Sequence, residues 1–237
     1  MRGAALLALL ALLPGPALAR GPGPTTPLAR EVKWWHARHA QICERLRQGN
    51  VQLIFLGDSI TAGWERGGAA VWQERYAKRH AVNMGIGGDE TGHLLWRLQR
   101  SPLDKIKPRA LVLLIGVNNA FRRDHSAAGI AAGIKAVVAT LRRRLPRTKI
   151  LLLGIFPAGA KPNKVRDKTI AVSRRIKALA DGKRVRYLDI GDRFLERHGR
   201  ISQDVMFDYL HLTEKGYRIW AEALEPTLKE MLGETSR

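Results

Sequence analysis

From Val51 onward the chain alternates short, unbroken aliphatic runs with longer stretches of helical periodicity. The aliphatic runs are Val51–Leu56, Ala81–Met84, Ala110–Ile115, Ile150–Leu153 and Val185–Ile190. Apolar runs without polar alternation predict strands buried on both faces, as in a parallel sheet covered by helices. Between them, apolar spacing predicts helices over Ala70–Arg79, Gly92–Arg100, Ser126–Arg144, Asn163–Ala180 and Thr213–Leu232, with Pro146 and Gly182 punctuating two of the ends. A further helical stretch begins at Glu31, with Trp34, Trp35, Ile42 and Leu46 as its apolar contacts. Regular strand–helix alternation predicts an α/β fold, a doubly wound three-layer α/β/α sandwich on a five-stranded parallel sheet. Ligands in such folds sit outside the carboxyl ends of the strands. The loops after Leu56, Met84, Ile115 and Leu153, and the segment before the last helix, are therefore where chemistry is expected.

The amino end reads differently. Arg2 precedes an Ala/Leu run from Ala4 to Leu13, Pro14-Gly15-Pro16 breaks it, and Ala17-Leu18-Ala19 supplies small residues for cleavage. That is the anatomy of a secretory signal peptide covering 1–19, and it predicts export. The run is too short for a membrane span, which takes roughly 20 apolar residues. Residues 20–30, rich in Pro and Gly, are expected as a disordered leader, and 31–237 as one domain. Cys43 is the only cysteine, so no internal disulfide is available, and in its half-apolar setting it reads as a small buried hydrophobe. The formal charge of +20 raises the question of a nucleic-acid partner. The basic residues are scattered, however, and no aromatics are interleaved with them as a base-stacking platform requires. A solvated basic surface is expected, with no specific nucleic-acid partner.

Candidate chemistry gathers on the expected loops. The first strand runs into Gly57-Asp58-Ser59, and a serine at a strand-to-helix turn is held exposed, the logic of a nucleophile elbow although G-x-S-x-G is absent. On its own it reads equally as a helix-capping serine. Of the seven histidines, His211 stands in Asp208-Tyr209-Leu210-His211 just before the last helix. Asp208, three residues away, can hold one imidazole nitrogen and leave the other basic; Asp204 is the poorer orienter, and a plain helix cap is the competing reading of Asp208. His93 follows a glycine-rich loop and can approach the same place. That loop, Asn83 to Asp89, offers unobstructed backbone amides, and Gly116-Val117-Asn118-Asn119 offers carboxamides, as stabilisation of an oxyanion requires. A dinucleotide fingerprint fails at Glu90, and neither a P-loop nor metal-ligand spacing is present, so no cofactor is expected.

Gly57-Asp58-Ser59, Gly85, Asn118 and Asp208/His211, in this order and on these loops, resemble the four blocks of the SGNH (GDSL) hydrolases. The runs Gly85–Leu98, Leu153–Asn163 and Asp204–Tyr217 resemble in particular the branch of the platelet-activating-factor acetylhydrolase catalytic subunits and its exported bacterial relatives. The resemblance covers Val51 to Leu232. It implies a flavodoxin-like sandwich and hydrolysis of short-chain, chiefly acetyl, esters on carbohydrate or lipid, with no cofactor. It implies Ser59 as nucleophile, His211 as base and Asp208 as its orienter. Ser59, Gly85 and Asn118 then form the oxyanion hole, and Ile60, Val117 and Leu210 an acyl pocket. It further implies pairing of subunits as homodimers. The rival expectation is a catalytically silent carbohydrate- or polyanion-binding protein on the same fold.

Overall fold

The computed structural model describes residues 22–234; the signal-peptide reading of 1–19 lies outside them. Helix α1 (Lys33–Arg47) leads into β1 (Leu53–Gly57), the short α2 (Ser59–Ala62), α3 (Ala69–Arg75) and β2 (Ala81–Gly85). Then follow α4 (Thr91–Arg100), β3 (Ala110–Leu114), α5 (Val117–Phe121), α6 (Ala127–Arg144), β4 (Lys149–Leu153), α7 (Lys164–Ile176), β5 (Val185–Leu188) and α8 (Glu214–Leu232). The strands form one parallel sheet in the order β2-β1-β3-β4-β5. This is the doubly wound three-layer sandwich that the apolar runs predict. The strand order reverses beside β1, and the crevice there, at the carboxyl ends of β1 and β3, is where such sheets take ligands.

On one face, Phe55 of β1 meets a cluster of rings from α3, α8 and the segment after α2: Trp64, Trp72, Tyr76 and Trp220, at centroid separations of 4.7 to 6.2 Å. Such rings supply large apolar area with favourable edge and tilt contacts. Tyr217 belongs to this cluster and donates its hydroxyl to the Ile60 carbonyl at 2.7 Å. The last helix is thereby tied to the turn that carries Ser59.

On α1, Trp35, Ile42, Cys43 and Leu46 are buried, at helical spacing. Trp34 lies one residue off that stripe and is 52% exposed, against the expectation that it packs inward. The segment expected as a disordered leader is bound, over residues 22–30, by contacts distant in sequence. The Leu28 amide donates to the Gly92 carbonyl at 3.1 Å, Thr91 Oγ1 donates to the Pro24 carbonyl at 2.7 Å, and Arg30 donates to the Gly87 carbonyl at 2.7 Å. No helix among the described residues is long and apolar enough to cross a membrane.

Candidate active site

Each loop at the carboxyl end of β1, β2 and β3 is shaped by its own side chains. Asp58, 1% exposed, caps α2 by accepting the Ile60 amide at 3.0 Å, which fixes the turn that presents Ser59. Burial pushes the Asp58 carboxyl up to about 7, against the pull of its amide partner, with the nearby Asp89 adding to the rise. Its second oxygen has no partner among the described residues.

The imidazole facing Ser59 comes from the opposite side. His211 Nε2 lies 2.9 Å from Ser59 Oγ, and His211 Nδ1 lies 2.6 Å from Asp208 Oδ2. The other Asp208 oxygen accepts the amides of Leu210 at 3.1 Å and His211 at 2.7 Å. Burial would raise the Asp208 carboxyl, but the His211 amide and ring and the Leu210 amide outweigh it and hold the group below the usual carboxylate range. The turn needs Tyr209 at φ 63°, a left-handed conformation that costs a non-glycine residue about 1–3 kcal/mol and recurs at functional turns. Asp208 is not the cap of α8; Thr213 fills that place. Asp204 does not reach the imidazole, its carboxylate lying 3.9 Å from Lys215 Nζ.

Beneath the glycine loop is a pair that the sequence reading did not single out. Arg97 and Asp89, their side chains 1% and 0% exposed, meet at 2.7 Å. Arg97 also donates to the carbonyls of Met84 at 2.9 Å and Gly57 at 3.3 Å, and Trp35 Nε1 donates to Asp89 at 2.6 Å. The carboxyl ends of β1 and β2 and the start of the loop are thus pinned together. Asn118 Nδ2 donates to the Asp89 carbonyl at 2.9 Å, which orients the carboxamide and leaves its second N–H free. Its neighbour Asn119 is fully buried and accepts from the Thr91 amide at 3.0 Å. Of the two carboxamides in this loop, therefore, Asn118 is the one available to a ligand.

Three expectations are corrected. Gly85 does not present its amide: Asn83 Oδ1 takes that N–H at 2.8 Å. Its lack of a side chain serves packing instead, since a Cβ there would lie 2.2 Å from the Ala62 nitrogen. Further along, the amides of Gly87 and Gly88 have no acceptor among the described residues, Gly88 is at φ +73°, and a Cβ on Gly87 would sit 3.9 Å from Ser59 Cβ. The Ser59 amide is likewise without an acceptor among the described residues, and of the two glycines it is Gly87 that walls the cleft with Ser59.

Second, Ile60 and Val117 are 1% exposed and, with Leu210, are not among the walls of the cleft at Ser59. A residue following Ser59 on a helical turn points about 100° away from it, and for Ile60 that direction is the core. The cleft, about 550 Å³, is walled instead by Trp34, Ala62, Gly63, Arg66, Phe207 and Leu212 together with Ser59 and His211. Third, His93, expected near the same place, is not among the walls of the cleft. Its Nδ1 accepts the Glu90 amide at 2.9 Å in the cap of α4, and burial, reinforced by Arg30 and Arg97, lowers it to about 4.

Comparison with known proteins identifies the family and the fold. The model of the GDSL-like lipase/acylhydrolase family matches residues 55–219. The rat platelet-activating factor acetylhydrolase IB subunit alpha2 is 36% identical over 202 residues, 85% of this chain and 86% of that protein. Among solved structures, an acylhydrolase from Bacteroides fragilis superposes with a TM-score of 0.70 at 20% identity, covering 85% of this chain and 100% of the other. Axe2, an acetylxylan esterase from Geobacillus stearothermophilus, superposes at 0.60 with 20% identity, over 79% and 96%. These structures share the fold.

Proposed function

We propose that this chain, which belongs to the GDSL-like lipase/acylhydrolase family and is an ester hydrolase, works as a serine esterase on short acyl esters, acetyl above all. The observation that carries the reading is the run of contacts from Asp208 through His211 to Ser59, at 2.6 and 2.9 Å, in a cleft at the sheet's switch point. A neutral imidazole at hydrogen-bond distance from a hydroxyl can take its proton as the oxygen attacks a carbonyl. Asp208 on Nδ1 fixes the tautomer that leaves Nε2 as the acceptor and stabilises the imidazolium that forms.

In the first half-reaction Ser59 Oγ bonds to the acyl carbon, and His211 takes the hydroxyl proton. The negative oxygen is met by the amides of Ser59 and the Gly87-Gly88 pair and by the free N–H of Asn118. The carbon–alkoxy bond then breaks, and the alcohol leaves with the proton from His211. In the second half, water gives a proton to His211 and its oxygen attacks the acyl-enzyme. The acid departs, and Ser59 recovers its proton. The acetyl preference draws on the acetyl esters named for both the acetylhydrolase and Axe2.

A fluorophosphonate probe tests the reading directly. It should label one serine, and peptide mapping should find it at Ser59, with labelling lost in Ser59→Ala. A label elsewhere would move the nucleophile to another serine, and none would overturn the reading in favour of a silent binding protein. Export is part of the same proposal, supported by the Arg2 to Ala19 pattern. Mass spectrometry of protein expressed with its leader should find Arg20 as the first residue, and an intact amino end at the cell interior would contradict export.

A further inference from the structure

Trp34 and Phe207 are 52% and 56% exposed, while Trp35, Trp64 and Trp220 are completely buried. Both exposed rings are walls of the cleft that holds Ser59 and His211. Neither is loosely placed. The Arg30 guanidinium lies 5.3 Å from the Trp34 ring centroid and is itself anchored on the Gly87 carbonyl. Phe207 stacks on the His211 imidazole at 5.9 Å and 21°, so one of its faces is held against the base. Rigid aromatic faces beside a catalytic serine suit a flat, C–H-bearing ring, because the C–H edge carries positive charge and the aromatic face negative.

The charge of the cleft narrows the choice. Arg66 is a cleft wall and, unlike Arg38, Arg79 or Arg218, makes no ion pair among the described residues. No Asp or Glu lines the cleft. A choline headgroup would be drawn to aromatic faces, but here it would meet Arg66 on the cleft wall, while the Asp208 carboxylate is engaged by the His211 imidazole and two amides. An anion meets the opposite situation, within a chain of formal charge +20 that attracts anionic polymers from a distance.

We propose that the alcohol half of the ester is a carboxylate-bearing sugar ring, seated against Trp34 and Phe207 with its carboxylate on Arg66. The substrate class is then an O-acetylated acidic glycan. This rests on Ser59 being the esterase nucleophile, and the assay separates the two claims. Acetate release is compared on acetylated oligogalacturonate, acetylated xylo-oligosaccharide, a 1-alkyl-2-acetyl-glycerophosphocholine and p-nitrophenyl acetate. The acidic glycan should exceed the neutral one in kcat/KM by about tenfold, the scale of one charge-assisted contact, and the margin should shrink in high salt. Arg66→Gln should bring the ratio near one, and Arg66→Lys should restore part of it. Trp34→Ala should raise KM for both glycans far more than it lowers kcat. Equal rates on the two glycans in the wild type, preference for the choline lipid, or equal losses on both glycans in Arg66→Gln would overturn the assignment of the alcohol. Absence of any Ser59-dependent hydrolysis of p-nitrophenyl acetate would instead overturn the esterase reading beneath it.

Discussion

The two sides of the cleft are held by opposite means. On the side of the base, Asp208 and His211 are 42% and 32% exposed and are positioned by a local turn, with bonds spanning two or three residues. On the side of the acceptor, the glycine loop and Asn118 rest on the Asp89–Arg97 pair, sealed from solvent and bonded across 8 to 40 residues. The first arrangement is cheap to alter without unfolding the protein. In the second, the proposed oxyanion donors and the groups that hold β1 to β2 are the same structure. Chemistry and stability should therefore separate on one side and move together on the other.

The largest effect sharpens the first half of that contrast. Asp208→Asn should lower kcat by about 10⁴, the scale for losing the group that fixes the base's tautomer, while the melting temperature stays nearly unchanged because the side chain is exposed. A loss under tenfold would mean that another group orients His211. Next comes Arg97→Met, which leaves the Asp89 carboxylate buried without its partner. Removal of one member of a buried pair costs about 3–5 kcal/mol, read by urea denaturation. Activity should fall in the same variant, because the Asp89 carbonyl holds Asn118. Full stability with normal turnover would show that the pair is not the support it resembles.

How far the sequence foretold this divides along the same line. The strands were legible because a sheet covered on both faces leaves unbroken apolar runs. Their ends slid by a residue or two, as at Gly57, which pairs with Gly85 although the apolar run ends at Leu56. The meeting of Ser59, Asp208 and His211 was legible because the residue types that a hydroxyl, base and orienter would need stand on loops that the fold places together. The oxyanion donors were less so. Whether Gly85 or the Gly87-Gly88 pair offers a free N–H depends on where the Asn83 side chain turns, and no spacing reveals that. Arg97 was hidden for a related reason: a cation in a helical pattern reads as a solvent-facing residue, and only the fold shows it pointing at two strand carbonyls. The bound segment at 22–30 was missed because Pro and Gly composition says nothing of partners more than 50 residues away.

Asp58 gives the acceptor side a pH signature opposite in sign to that of the lowered Asp208 on the base side. Its carboxyl, ordinarily near 3.8, is pushed to about 7 by burial. Between roughly pH 4 and 7 the unfolded chain has released this proton while the folded chain keeps it, so stability declines as pH rises and levels off above. The full span corresponds to roughly 4 kcal/mol. Asp58→Asn, which never ionises, should lose this component of the slope when denaturation is compared at pH 4.5 and 7.5. Parallel slopes in the two proteins would show that Asp58 is ionised throughout.

Asn118→Ala follows, with kcat lowered about 10²–10³, the measure of one oxyanion donor. Because Asn118 hangs from the Asp89 carbonyl without supporting it, stability should change far less than in Arg97→Met. A loss under threefold would leave the oxyanion to the backbone amides alone. The smallest effect probes a bond that joins the two sides outside the Ser59–His211 contact itself. Tyr217 stands on the helix that follows His211 and donates to the carbonyl of Ile60, next to Ser59. Tyr217→Phe keeps the ring in its aromatic cluster and removes only that hydroxyl, at a cost of about 1 kcal/mol. If the two sides are otherwise independent, kcat should fall by more than this stability change implies, since the Ser59–His211 distance loses its tether. An unchanged kcat beside the expected loss of stability would show that sheet and helix packing alone set the distance between nucleophile and base.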